Sequence, residues 1–231
     1  NVVSGATNTV TGALNGIYLR DATVTNNAAA SIAGVQYGIR ADTGFANVTN
    51  SGNITGTSTD GILAGTNATV TNNAGAAITG GLGGIVANGF ANVTNAGSIT
   101  GTIFNGIDAL TNATVTNNAS AIIAGGLYGI RASTGFADVT NSGSITGITD
   151  TGIRAGNGAR VTNNAGASIA GGFYGIYTAV GFTNVTNYGS ITGAGLEGIV
   201  ANTNATVTNN AGAAIIGGQI GISATTGFAD V

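Results

Sequence analysis

The side chains able to do acid–base chemistry in this chain are few. There are five basic and eight acidic residues, with no His and no Cys. The acids are Asp21, Asp42, Asp60, Asp108, Asp138, Asp150, Asp230 and Glu197; the bases are Arg20, Arg40, Arg131, Arg154 and Arg160. General acid–base catalysis needs a His or two carboxyl groups held close together. These acids are spread thinly along the sequence, so no catalytic pair is expected and the chain reads as a non-enzyme. A polysaccharide-acting enzyme is an alternative that this scatter argues against. Calcium-binding coils need a Gly-Gly-x-Gly-x-Asp repeat to supply oxygen ligands at every turn. No such repeat occurs, so neither a metal nor a cofactor is expected.

Uncharged columns are the other possible source of function. Asn26, Asn50, Asn72, Asn95, Asn117, Asn141, Asn163, Asn187 and Asn209 each follow Val-Thr. They form either a ligand-binding row of amides or a structural ladder. The ladder is the expectation, because a buried amide needs a partner and an Asn one repeat away supplies it. The preceding Thr of each triplet, from Thr25 to Thr208, forms a second column. A flat threonine array could order ice-like water, which makes ice binding an alternative function. Its neighbouring column alternates Thr with Asn and is interrupted at Asp138 and Arg160, which argues against that use.

These columns exist because the whole chain is a repeat. Val24, Val48, Val70, Val93, Val115, Val139, Val161, Val185, Val207 and Val231 stand 22 to 24 residues apart, longer and shorter intervals mostly alternating. Each interval reads Ala-x-Val-Thr-Asn, then Gly/Ala-x-Ile-x-Gly, then Gly-Ile-x-Ala. Three short period-two segments per repeat predict an all-β fold. It is a single-stranded parallel β-helix, or β-solenoid, with three strands per coil and about ten coils over 1–231. With 42 glycines spread through the repeat, helices of ten or more residues are excluded in practice. Three buried aliphatic side chains cannot offset the ordering of a coil, so the coils must fold together.

Alternation assigns the faces. Ala22, Val24 and Asn26 point into the lumen while Thr23 and Thr25 point out; Ile32, Ile39 and Ala41 are also inward. Phe45, Phe90, Phe136, Phe182 and Phe228 recur once per two coils and are expected to fill a corner. Gly34 and Gly38, with their equivalents, are expected to supply positive φ or close backbone approach. Register between coils places Arg20 over Asp42, Asp108 over Arg131, and Asp138 over Arg160 as ion pairs.

The least regular columns flank the third strand. One contains Tyr37, Tyr128 and Tyr174, alternating with Asp60, Asn105, Thr151 and Glu197; the other contains Arg40, Arg131 and Tyr177. A column that only stacks should repeat one residue. Exposed Tyr and Arg are also enriched at binding hot spots. Tyr37, Arg40, Tyr128, Arg131, Tyr174 and Tyr177 therefore form a candidate partner face.

Composition narrows the partners. The net charge is −3 and charged residues make up 6%, which provides no electrostatic footprint for nucleic acid. No apolar run approaches the roughly 18 residues of a membrane helix. The eight Asn-x-Ser/Thr sequons follow from the repeat's own vocabulary. Asn1 opens in mid-repeat and Val231 closes in mid-coil. The chain is therefore expected to be an excerpt or processed product that continues, or that stacks end to end; about ten coils would span roughly 48 Å.

The phrases Val-Thr-Asn-Ser-Gly-Ser-Ile-Thr-Gly (139–147) and Ala-Thr-Val-Thr-Asn-Asn-Ala-Gly-Ala-Ala-Ile-Thr-Gly-Gly (68–81) resemble the passenger repeats of bacterial autotransporter proteins. Haemagglutinin-like exoproteins share the style. The resemblance implies a right-handed β-helix displayed on the bacterial surface as an adhesin or fibre. Its partners would be other copies, by stacking or lateral bundling, and a host-cell or surface ligand.

Overall fold

A computed structural model describes residues 2–4 and 8–231; Asn1, where the repeat reading begins, lies outside the described residues. The described chain forms thirty-one short strands and no helix, and so none long and apolar enough to cross a membrane. The strands build three parallel sheets, of 11, 10 and 10 strands, each taking every third strand in chain order. This is the β-solenoid that the repeat predicts.

Register follows the repeat position by position. Val24 pairs with Val48, Ile32 with Ile54 and Ile39 with Ile62, and each column continues through the stack. The side chains of Ala22, Val24 and Asn26 are buried, and those of Thr23 and Thr25 lie on the outer side. One continuous core of Ile, Val and Ala runs along the axis. A slip of one residue would turn every Ile outward, so the apolar column itself enforces the register.

The Asn column is an inward ladder. Each Nδ2 donates to the Oδ1 of the next coil at 2.8–2.9 Å, as from Asn26 to Asn50 and from Asn95 to Asn117. A second bond goes to a backbone carbonyl of the next coil's second strand, as from Asn117 to Ser144 at 3.1 Å. The column from Asn26 to Asn187 is fully buried; Asn209, the last of the column, is exposed and donates to Ala213.

Three expectations need correction, and a fourth, for the glycines, resolves to one of its two alternatives. The phenylalanines do not fill a corner. Phe45, Phe90, Phe182 and Phe228 are 42–61% exposed. Each precedes an inward residue, as Phe45 precedes Ala46, so alternation directs the ring outward. Between them stand Asp21, Asn67 and Asn112, whose Oδ1 atoms accept the N–H of Phe45, Phe90 and Phe136. At Gly158 that side chain is missing, and the rings of Phe136 and Phe182 meet across the gap with centroids 5.7 Å apart.

The glycines flanking the third strand serve close approach, not positive φ. A Cβ on Gly34 would lie 2.1 Å from the Tyr37 carbonyl oxygen, and one on Gly38 would lie 2.6 Å from that of Gly61. Positive φ falls instead mainly in the turn after the Asn column, in every second coil, at Ala29, Gly75, Ser120, Gly166 and Gly212, and otherwise at Gly158 and Gly181.

The pairs Asp108–Arg131 and Asp138–Arg160 form, at 3.4 and 3.5 Å. Arg20 does not pair with Asp42. It is 85% exposed and reaches only Asp21, at 4.0 Å. Asp42 is taken by Arg40, two residues away on the same outward side, at 2.6 Å.

The column before the third-strand Gly does not face simply outward. Asn105 and Thr151 are buried while Tyr37, Tyr128 and Tyr174 are half-buried. The close-packed glycine turns the backbone at this corner, so small side chains tuck in and large ones emerge.

Candidate functional site

The outer face of the third sheet gathers the aromatic and charged side chains. Near one end, the Arg40 guanidinium lies 5.4 Å from the Tyr18 ring centroid and 5.2 Å from that of Tyr37. Farther along, Tyr128 receives Arg131 at 5.9 Å and Arg154 at 5.7 Å, and Arg154 also reaches Tyr177. The Tyr174 and Tyr177 rings are 5.1 Å apart. Tyr37 and Arg40 thus form one cluster with Tyr18, while Tyr128, Arg131, Tyr174 and Tyr177 join a second through Arg154. Cation–π contacts of this kind are worth about 0.5–1 kcal/mol at exposed sites, and they hold the side chains in place.

Between the clusters the face is indented. Here Gly83 occupies the column that holds Tyr37, Tyr128 and Tyr174 in other coils, with Asp60 one coil before and Asn105 one coil after. The missing side chain leaves a cavity of about 400 Å³. Asp60, Asn105, Asp108, Tyr128 and Arg131 line it, and Leu82, Phe104 and Leu127 form an apolar rim. The rim is itself a stacked turn, with Phe104 N–H donating to Leu82 O and Leu127 N–H to Phe104 O.

The electrostatics of the cavity are uneven. Asp108 accepts from Asn105 Nδ2 at 2.8 Å and from Arg131 at 3.4 Å. Burial raises its pKa while Arg131 and Asn105 act in the opposite direction. Asp60 accepts one N–H, from Gly83 at 3.0 Å, and has no salt bridge among the described residues. Burial pushes its carboxyl up to about 6, against the Gly83 hydrogen bond, and the charge of Asp108 adds to the rise. Asn105 Oδ1 and Arg131 Nε are buried without a partner.

The structure therefore brings together two acids that look scattered in sequence, Asp60 and Asp108. Sequence reasoning found the Asp108–Arg131 contact and put Asp60 and Asn105 in one column, but missed Gly83 between them and the cavity that results. It also missed the rim, although one signal was present: Leu82, Phe104, Leu127, Phe173 and Leu196 each stand two residues before a third-strand Gly.

Beyond this cavity, a smaller hollow of about 210 Å³ lies between Tyr128, Asp150, Arg154 and Tyr174. Among the described residues no group of three His, Cys, Asp or Glu side chains gathers as a metal site. No family model matches the chain, and neither the curated proteins nor the solved structures provide a match.

Proposed function

We propose that this chain is a segment of a bacterial extracellular or cell-surface fibre, structural or adhesive in role and not catalytic. The observation that carries the reading is the unbroken register of three parallel sheets through about ten coils, with the core amides bonded coil to coil. Such a stack resists bending at every layer, because a bend must strain ladder bonds and the shared core together. Side-chain variety is confined largely to the outer face of the third sheet. A stiff rod with one variable wall suits holding a contact surface away from a cell. Its partners would be other copies and a host-cell or surface ligand, and the sequence resemblance to autotransporter passengers points the same way.

Negative-stain imaging of the native material, combined with adhesion to cells or surfaces, tests the reading. Long rods or bundles that adhere are the expected result. Short isolated particles that neither associate nor adhere would overturn it.

Ice binding is a second reading, favoured by the outer Thr column, which is complete and in register from Thr25 to Thr208. The adjacent column carries the Asp138–Arg160 ion pair and breaks the regular surface. Thermal hysteresis in the purified chain would promote this reading over the fibre; none is expected.

A further inference from the structure

The cavity at Gly83 presents acceptors that lack donors. Asp60 carries a carboxylate with one N–H bond, and Asn105, only 4% exposed, holds Oδ1 with no partner. Among the residues lining the cavity the one cation is Arg131, which is engaged with Asp108 and stacked on Tyr128; Arg154, outside the lining, also acts on Asp108 but not on Asp60. What Asp60 lacks is a positively charged donor. A carboxylate withdrawn from water is stabilised by a cation that also donates hydrogen bonds. The rim of Leu82, Phe104 and Leu127 offers apolar surface on which an aliphatic stem can pack.

We propose that this cavity binds an alkylammonium or alkylguanidinium group, the side chain of a Lys or Arg from a partner polypeptide. The charged head sits between Asp60 and Asn105 Oδ1, and the stem lies along Leu82 and Phe104. A neutral polyol also donates hydrogen bonds but leaves the Asp60 charge uncompensated. The same column shows why the site occurs here: Gly83 places no side chain between Asp60 and Asn105, and Tyr128 in the coil after Asn105 forms a wall.

Binding should weaken in acid. Asp60 must be ionised to attract the cation, and its carboxyl is held up at about 6. The other titratable or charged groups lining the cavity are Asp108, Tyr128 and Arg131. Asp108 is raised in the same sense by burial, so its protonation also removes negative charge as pH falls. Tyr128 is raised and stays neutral throughout.

The inference stands on the cavity alone and does not depend on the chain forming a fibre. The test is calorimetric or NMR titration of the whole chain with capped Lys and Arg (Nα-acetyl, C-terminal methylamide). Capped norleucine serves as the uncharged stem, and methyl β-glucoside as the polyol. Both cationic probes should bind, with the norleucine probe weaker by about tenfold or more. Asp60→Asn should weaken the Lys probe about tenfold, as should a change from pH 7.5 to pH 5.

Gly83→Ala provides a second variant that should also weaken the Lys probe, since its Cβ would lie 2.7 Å from Val86 Cγ2 and 3.0 Å from Asp60 Oδ1, crowding the carboxylate. Melting curves identify any variant that fails to fold, and the remaining variant and the pH comparison then decide. Undiminished affinity in a folded Asp60→Asn chain would overturn the proposal. So would norleucine or glucoside binding as tightly as Lys, or no binding of either cation at millimolar concentration. Rods without cation binding, or cation binding without rods, would separate this inference from the fibre reading.

Discussion

The hydroxyls of Thr178 and Thr183 lie 2.7 Å apart in the core, at two inward positions where the adjoining coils carry alanine. Ala155 and Ala201 flank Thr178 in register, and Ala159 and Ala205 flank Thr183. Two polar substitutions in one coil thus satisfy each other. Replacing either Thr by Ala should cost about 1–3 kcal/mol, because it strands the other hydroxyl. The double Ala variant, which matches its neighbours, should recover about 1 kcal/mol or more of the summed loss. A double-mutant cycle by denaturant unfolding measures the coupling, and additive single effects would show that the hydroxyls do not depend on each other.

The Asn ladder makes an unequal pair of neighbours. Asn117 Oδ1 accepts from Asn95, and its Nδ2 donates to Asn141, both at 2.9 Å. Asn117→Leu should destabilise by roughly 2–5 kcal/mol, since it removes a bond from the amides on both adjoining coils and buries a larger side chain in their place. Thr116→Ser, on the outer face beside it, should stay within about 0.5 kcal/mol. Equal melting temperatures for the two variants would remove the ladder from the list of stabilising features.

Asp60 makes stability depend on pH in an unusual direction. Its folded carboxyl titrates near 6, above the model-peptide value of about 3.9, so the folded state holds the proton more tightly. The associated stability is fully present below about pH 4 and is lost as pH rises through about 6. Because Asp60 retains some solvent contact, the effect should be about 1–2 kcal/mol. Asp108 is shifted in the same direction. Subtracting the Asp60→Asn profile from that of the wild type isolates the Asp60 part; identical profiles would contradict the burial argument.

The turn after the Asn column holds Ala29 at φ 62° and Ser120 at φ 63°, where the equivalent coils use Gly75, Gly166 and Gly212. A side chain in the left-handed region is strained, and glycine relieves it while adding entropy to the unfolded chain. Ala29→Gly with Ser120→Gly should raise the unfolding midpoint, with a combined gain of about 1 kcal/mol. A lower midpoint would mean that unfolded-state entropy outweighs strain at this turn.

How much could be read in advance depended on how local the controlling rule was. Strand positions, inward Ile and Val, the Asn ladder and the coil stacking all follow from period-two alternation repeated every 22 to 24 residues. A rule that strict needs no knowledge of partners, because any slip exposes the apolar column. The tertiary structure decided what depends on neighbours one coil away and on the path of the corners. Arg40 took Asp42 from Arg20 by reaching it within its own coil. The corner glycines tucked Asn105 inward and let Tyr128 emerge. The cavity exists because Gly83 places no side chain between Asp60 and Asn105, residues about 45 positions apart in sequence. An absent side chain has no signature of its own in a sequence; it becomes a site only when the coils on either side supply the walls.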